Sequence, residues 1–227
     1  MIGLSEVRRV AVIAPHPDDE VLGCGGTIAR LADLGISVDV VTVTRGQPPD
    51  FDEAGVRAVE IEARAAHALL GVHESHFMAL PAARLDTLAQ VEVNADLHEV
   101  LDTVAPDMLF VPFHGDIHQD HRIVFTAAMV WARPRHAESP TRIWAYETLS
   151  ETNWFAPGST PAFLPNCFVD ISTTLDRKVA SLARFQSQVR SFPDERSIEA
   201  VKALATSRGA SVFRHAAEAF MVIREVV

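Results

Sequence analysis

Short strand-length apolar runs, each followed by a stretch of helical period, constrain the fold of this chain more than any other feature. Val10-Ala11-Val12-Ile13 and Ile36 to Thr44 are rich in β-branched residues, and His76 to Leu80 and Asp107 to Pro112 are apolar runs of similar kind. After each run the apolar residues recur every three to four positions: Val21 to Leu34, Glu53 to Leu70, Asp86 to Val104, Asp120 to Arg133. Strands alternating with helices predict βαβ units, a mostly parallel sheet and helices on both faces. Gly35 and Gly71 stand where the first two helices should stop. The expected fold is α/β, Rossmann-like and three-layered, with residues 1–227 forming one domain of ample length for a core. Beyond the first half, strands are expected over 142–146, 167–171 and 219–226, and helices over 172–191 and 193–207. Residues 148–165 lack a period and read as a long ordered loop, a kind that often carries function.

The first strand runs directly into Ala14-Pro15-His16-Pro17-Asp18-Asp19-Glu20. Polar groups at the C-terminal end of a parallel strand sit where open α/β sheets place their ligands. The two prolines fix φ and stiffen the turn. Capping of the next helix by Asp18 or Asp19 accounts for one or two carboxylates. It does not account for a histidine and an acid pair on a proline-braced turn. Gly23, Gly25 and Gly26 follow inside the predicted helix, each costing about 1 kcal/mol relative to alanine, which points to close packing on the sheet or against a ligand. Cys24 beside them reads as a small buried residue.

A second cluster, His114-Gly115-Asp116-Ile117-His118-Gln119-Asp120-His121, follows the strand ending at Pro112. His118 and His121 are three apart, so a helix starting here turns both the same way. Histidines and one carboxylate drawn from two strand ends make a three-ligand site with a position left open for water. Zinc in such a site lowers the pKa of that water to about 7.

His16-Pro17-Asp18-Asp19-Glu20 with Gly25-Gly26-Thr27, paired with His118-Gln119-Asp120-His121, resembles the N-acetylglucosaminyl deacetylase family, also called PIG-L or LmbE-like. Pro165-Asn166, Val169-Asp170-Ile171-Ser172, Ser187-Gln188 and Ala217-Glu218-Ala219-Phe220 extend the resemblance through most of the chain. The resemblance implies a zinc-dependent hydrolase that removes the acetyl group from an N-acetylated amino sugar or its conjugate. It assigns the metal to His16, Asp19 and His121, with one Zn2+ per chain and Fe2+ or Co2+ able to substitute. Asp18 becomes the general base on the attacking water. His118 stabilises the oxyanion or protonates the leaving amine, and Asp120 orients a neighbouring imidazole. Relatives carry an arginine early in the second helix. Here Val59 holds that place, leaving Arg57 and Arg45 as candidates for substrate contact. Trp154 and Phe155 are candidates for stacking on a sugar ring, with core anchoring of the loop as the alternative.

Other functions weigh less. Metal-dependent phosphoester hydrolysis uses His/Asp clusters too, often with two metals and added cationic groups. Gly23-Cys24-Gly25-Gly26 fails the dinucleotide fingerprint, since Ile28 stands where its third glycine belongs. A non-catalytic sugar- or metal-binding protein needs neither Asp18 nor His118. A net charge of −10 argues against a broad hold on nucleic acid or anionic lipid. No stretch approaches the roughly 20 apolar residues of a membrane span. The two cysteines, Cys24 and Cys167, form no disulfide framework, so a reduced, cytoplasmic setting is expected. The family resemblance implies a small-molecule N-acetylated sugar as partner and leaves room for a homo-oligomer.

Overall fold

The structure, a computed structural model, describes residues 7–154 and 158–227. Its strands are β1 (Arg9–Ala14), β2 (Ser37–Arg45), β3 (Glu74–Pro81), β4 (Met108–Pro112), β5 (Arg142–Tyr146), β6 (Cys167–Asp170) and β7 (Ala217–Glu225). They form a seven-stranded sheet in the order β3-β2-β1-β4-β5-β7-β6. β1 pairs in parallel with β2 and with β4, as do β2 with β3 and β4 with β5. β7 runs antiparallel to both β5 and β6. The helices are α1 (Asp19–Asp33), α2 (Glu53–Leu70), α3 (Gln90–Val104), α4 (Gln119–Trp131), α5 (Leu175–Leu182) and α6 (Ile198–Ala210). The α/β, mostly parallel, three-layer architecture expected from the sequence is thus present.

Side chains alternate across the pleat, so one strand feeds two cores. Val10 and Val12 face the layer of α1, α2, α5 and α6, packing with Ile28, Ala66, Leu70 and Leu182. Ala11 and Ile13 face α3 and α4, packing with Leu97, Leu101 and Val124. Burial on both faces is why the strands read as continuous apolar runs. β1 is flanked by β2 on one side and β4 on the other, so the strand order reverses there. The crevice beyond the C-terminal ends of β1 and β4 is therefore the ligand position of this topology.

The expected helix over 172–191 ends early, at Leu182. Beyond it Phe185 is buried in the core and the Ser187 N–H donates to Glu62, 3.2 Å away, instead of to a helical carbonyl. The next helix begins only at Ile198, capped by the Ser197 side chain, which accepts from the Ala200 N–H. A turn-rich segment thus lies between α5 and α6. No helix among the described residues is long and apolar enough to cross a membrane.

α1 is pinned against the sheet from behind. Lys178 Nζ donates to Glu218 Oε1 at 2.6 Å and to the Leu22 carbonyl at 2.7 Å. Glu218 also accepts from the Gly26 and Thr27 N–H groups at 2.9 and 2.7 Å. With every charge satisfied the buried pair is tolerable, whereas losing one partner of such a pair costs about 3–5 kcal/mol. The glycines permit this approach. A Cβ on Gly26 would lie 2.7 Å from Ile171 Cδ1, and one on Gly23 would run into the Tyr146 ring. That ring is buried and its hydroxyl donates to the Ile13 carbonyl at 2.8 Å, so it has nowhere to go. In an open helix Gly23→Ala gains about 1 kcal/mol. Here overpacking, at about 1–3 kcal/mol, reverses the sign. Chemical denaturation of Gly23→Ala is expected to show net destabilisation, and a midpoint at or above the parent's contradicts this packing.

Candidate metal centre

The turn after β1 is built to aim side chains. The Thr44 hydroxyl on β2 donates to the Pro15 carbonyl at 2.7 Å, tying the turn to the neighbouring strand. Asp18 then occupies the N-cap position of α1 with φ 114° and ψ −25°, and its side chain makes no capping bond. Its N–H donates instead to Glu20 Oε2 at 3.1 Å, and Glu20 is held by His67 at 3.0 Å. A non-glycine residue at such a φ stores strain, which folded proteins retain chiefly at functional sites. The capping explanation of Asp18 therefore fails.

His16, Asp19 and His121 converge, their ligand atoms all within 4.8 Å of one another. Asp19 Oδ2 lies 3.4 Å from His16 Nδ1 and 3.3 Å from His121 Nε2. The outer nitrogen of each ring is already engaged. His16 Nε2 meets Asp120 Oδ2 at 3.1 Å, and His121 Nδ1 meets Asp116 Oδ2 at 2.8 Å. Asp120 is itself fixed by the Ala83 and Leu85 N–H groups, and Asp116 by the Thr152 hydroxyl. A carboxylate behind each imidazole is the arrangement that orients histidine toward a metal. His121 Nε2 and Asp19 Oδ1 are buried without any hydrogen-bond partner. Buried ligand atoms without hydrogen-bond partners, in a group whose three ligand atoms lie this close together, fit a divalent cation, and three protein ligands leave an open position.

The electrostatics agree. Burial opposes charge on His16, yet its hydrogen bonds to Asp120 and Asp19 raise its pKa to about 9. His121 likewise resists burial, through the Asp19 charge, and rises to about 10. Burial pushes on Asp19 the other way, but the His121 charge holds its carboxyl well below the usual range. The carboxylates thus favour positive charge between these rings, and a cation supplies it while leaving the imidazoles neutral, as metal ligands must be. Burial raises Asp18 to about 8, partly opposed by Arg196. His118 is pushed down to about 4, first by burial and then by the nearby His16 charge. Its Nδ1 accepts from the Asp120 N–H at 3.1 Å, so in the neutral ring Nε2 carries the proton. His16, His118 and Asp120 form a second candidate ligand group. Its Asp120 oxygens are already committed to Ala83, Leu85 and His16, which marks Asp120 as a positioning group.

These groups open onto a cavity of about 620 Å³ lined by His16, Asp18, His118, Arg45 and Arg196 among others. The family described as PIG-L: GlcNAc-PI de-N-acetylase matches residues 11–132, which include both clusters. The diacetylchitobiose deacetylase of Thermococcus kodakarensis is 30% identical over 206 residues, covering 84% of this chain and 73% of that one. The chain belongs to the PIG-L family.

Solved structures agree on the PIG-L fold. The conserved protein TT1542 from Thermus thermophilus superposes with a TM-score of 0.78 at 27% identity, covering 96% of each chain. GalB, the 4-carboxy-2-hydroxymuconate hydratase of Pseudomonas putida KT2440, does so with 0.74 at 21% identity, covering 97% of this chain and 98% of that one. The second likeness shows the fold alone, and one fold hosting differently named enzymes leaves the reaction to be argued from the site.

The other sequence candidates are dispersed. Arg45 lines the cavity and pairs with Glu53 at 2.5 Å. Arg57 is 64% exposed, pairs with the same Glu53 and is absent from the cavity lining, whereas Val59 contributes to it. Trp154 is 56% exposed in a short helical turn, also away from the lining. Phe155 lies outside the described residues. Cys24 is a core residue. His114 packs against Phe113 and Phe125. Arg196 went unrecognised from sequence, although its partner Gln188 belongs to the Ser187-Gln188 pair that carries part of the family resemblance. Nothing local marks an arginine in a turn as a neighbour of residue 18. Removing a carboxylate behind a ligand histidine typically weakens metal affinity about 10–100-fold. Asp116→Ala is expected to show that loss in competition with a chelator, and an unchanged affinity means that Asp116 does not orient His121.

Proposed function

We propose that the chain is a metal-dependent deacetylase, with residues 1–227 as one domain, hydrolysing the acetamide of an N-acetylated amino sugar or its conjugate. His16, Asp19 and His121 hold one divalent cation, zinc in the first instance. The observation carrying this reading is the convergence of His16, Asp19 and His121, with His121 Nε2 and Asp19 Oδ1 buried and without hydrogen-bond partners. The substrate class is carried over from the diacetylchitobiose deacetylase to which the chain is similar.

Amide hydrolysis needs an activated water, a stabilised oxyanion and a proton for the departing amine. When bound, the cation supplies Lewis-acid polarisation of the carbonyl oxygen and lowers the pKa of a water to about 7. Asp18 is the general base. Burial raises its pKa to about 8 even beside Arg196, so an ionised base at neutral pH needs the further positive charge that a bound cation would place next to it. His118, neutral and carrying its proton on Nε2, donates a hydrogen bond to the developing oxyanion and keeps its proton, and the proton that Asp18 takes from the water is the one passed to the leaving amine. Asp120 keeps the His16 ring turned inward. Arg45 is the candidate substrate contact from the cavity wall; Arg57 and Trp154 act there only if substrate extends beyond it.

The test is release of acetate and free amine from a panel of N-acetylglucosamine derivatives by metal-loaded protein. Asp18→Ala is expected to lose turnover by about 10²–10⁴-fold, the usual weight of general base catalysis, with its metal content intact. His121→Ala is expected to lose the metal, read by elemental analysis. Full activity in Asp18→Ala removes the base assignment, and no acetate from any derivative removes the deacetylase reading.

A further inference from the structure

We infer that Arg196 is a positioning residue, which fixes the Asp18 carboxylate for proton acceptance and couples it to the loop that also steadies His121. The inference rests on the base assignment just proposed.

Arg196 reaches the site from the turn-rich segment before α6. Its Nη1 lies 3.2 Å from Asp18 Oδ2, its Nε donates to the Ser150 hydroxyl at 2.9 Å, and Nη2 lies 3.7 Å from Glu151. Gln188 Oε1 accepts from Nη1 at 3.4 Å. The Arg196 backbone is fixed too: its N–H donates to Asp194 Oδ1 at 2.8 Å, and the next residue, Ser197, caps α6. A planar guanidinium held at several of its nitrogens is a rigid fork, unlike a lysine ammonium. Charge-assisted contacts of this kind fix orientation as well as contributing energy.

The loop it grips is the one behind the metal ligand. The Ser150 N–H donates to Glu195 Oε2 at 2.7 Å, so Glu195 and Arg196 together hold residue 150, which has a left-handed φ of 69°. Two residues on, the Thr152 hydroxyl donates to Asp116 Oδ1 at 2.6 Å, and Asp116 orients His121. Polar contacts therefore run from His121 through Asp116 to Thr152 and from Ser150 through Arg196 to Asp18, the two halves being joined by the short stretch of backbone from 150 to 152. Asp18 needs such an external hold. Its side chain caps nothing, and its backbone is strained, so rotation of the carboxylate is not limited by its own helix. The part of Arg196 left exposed, about a quarter of the side chain, faces a cavity whose lining it shares with Asp18.

The experiment compares Arg196→Met and Arg196→Lys as metal-loaded proteins, using the derivative that the parent deacetylates best. Misplacing a reacting group by about 1 Å costs on the order of 10²-fold, so kcat of Arg196→Met is expected to fall by about that factor. KM and metal content stay near the parent's. Arg196→Lys falls less, and added guanidinium chloride at non-denaturing concentration restores part of the kcat lost in Arg196→Met. A rise in KM with kcat retained makes Arg196 a substrate contact and overturns the inference, as does an unchanged kcat. Should Arg196→Met not fold, Ser150→Ala, which releases Nε alone, is expected to lower kcat several-fold at constant KM, and no change there is equally fatal. Activity in Asp18→Ala is a separate failure, of the base assignment, and is read first.

Discussion

A buried carboxylate between two imidazoles organises this molecule. Asp19 lies within 3.4 Å of nitrogens from His16 and His121, and each of those rings is backed by another carboxylate. Three acids and two rings so close together are unstable without positive charge, because desolvated like charges repel strongly. The site therefore favours positive charge, on the rings or between them. The rest of the architecture keeps its parts in register.

That requirement explains features that look costly in isolation. α1 carries three glycines in its interior, a poor choice for helix stability. The glycines let the helix lie against Tyr146, Ile171 and Lys178, so that its first residue, Asp19, cannot drift. The buried Lys178–Glu218 pair ties the same helix to α5 and β7. Strain at Asp18 is retained because Glu20, and behind it His67, hold the turn from below. Rigidity is concentrated where side chains from distant segments must meet within a few tenths of an ångström.

The cavity leading to the site is a composite of similar kind. One wall comes from the segment after β2 and the start of α2, another from the turn after β3, and a third from the loops around Glu151 and Arg196. Among its charged groups Arg45 is paired with Glu53 and Asp50 with Arg84. PIG-L relatives and fold neighbours carry differently named activities on this frame, and variation in these walls is where specificity has room to change without disturbing the turn after β1.

The two ligand clusters are legible in the amino-acid order because each is local: His16, Asp18 and Asp19 share one turn, His118, Asp120 and His121 another, and both follow apolar runs that must be parallel strands. Topology then brings them together, since β1 and β4 are neighbours at the point where strand order reverses. The short α5, the turn-rich segment behind it and Arg196 are not legible in that way. Helical period in 172–191 competes with burial of Phe185 and with the Glu62 contact to Ser187, which only the packed chain reveals. Asp116, too, becomes a ligand's partner only when Thr152 and His121 close around it. Local pattern determined which residues sit at the strand ends. Contacts between residues distant in the chain, 36 positions for Thr152 to Asp116 and 178 for Arg196 to Asp18, decided how they are held, because a hydrogen bond across the fold leaves no periodicity in the sequence.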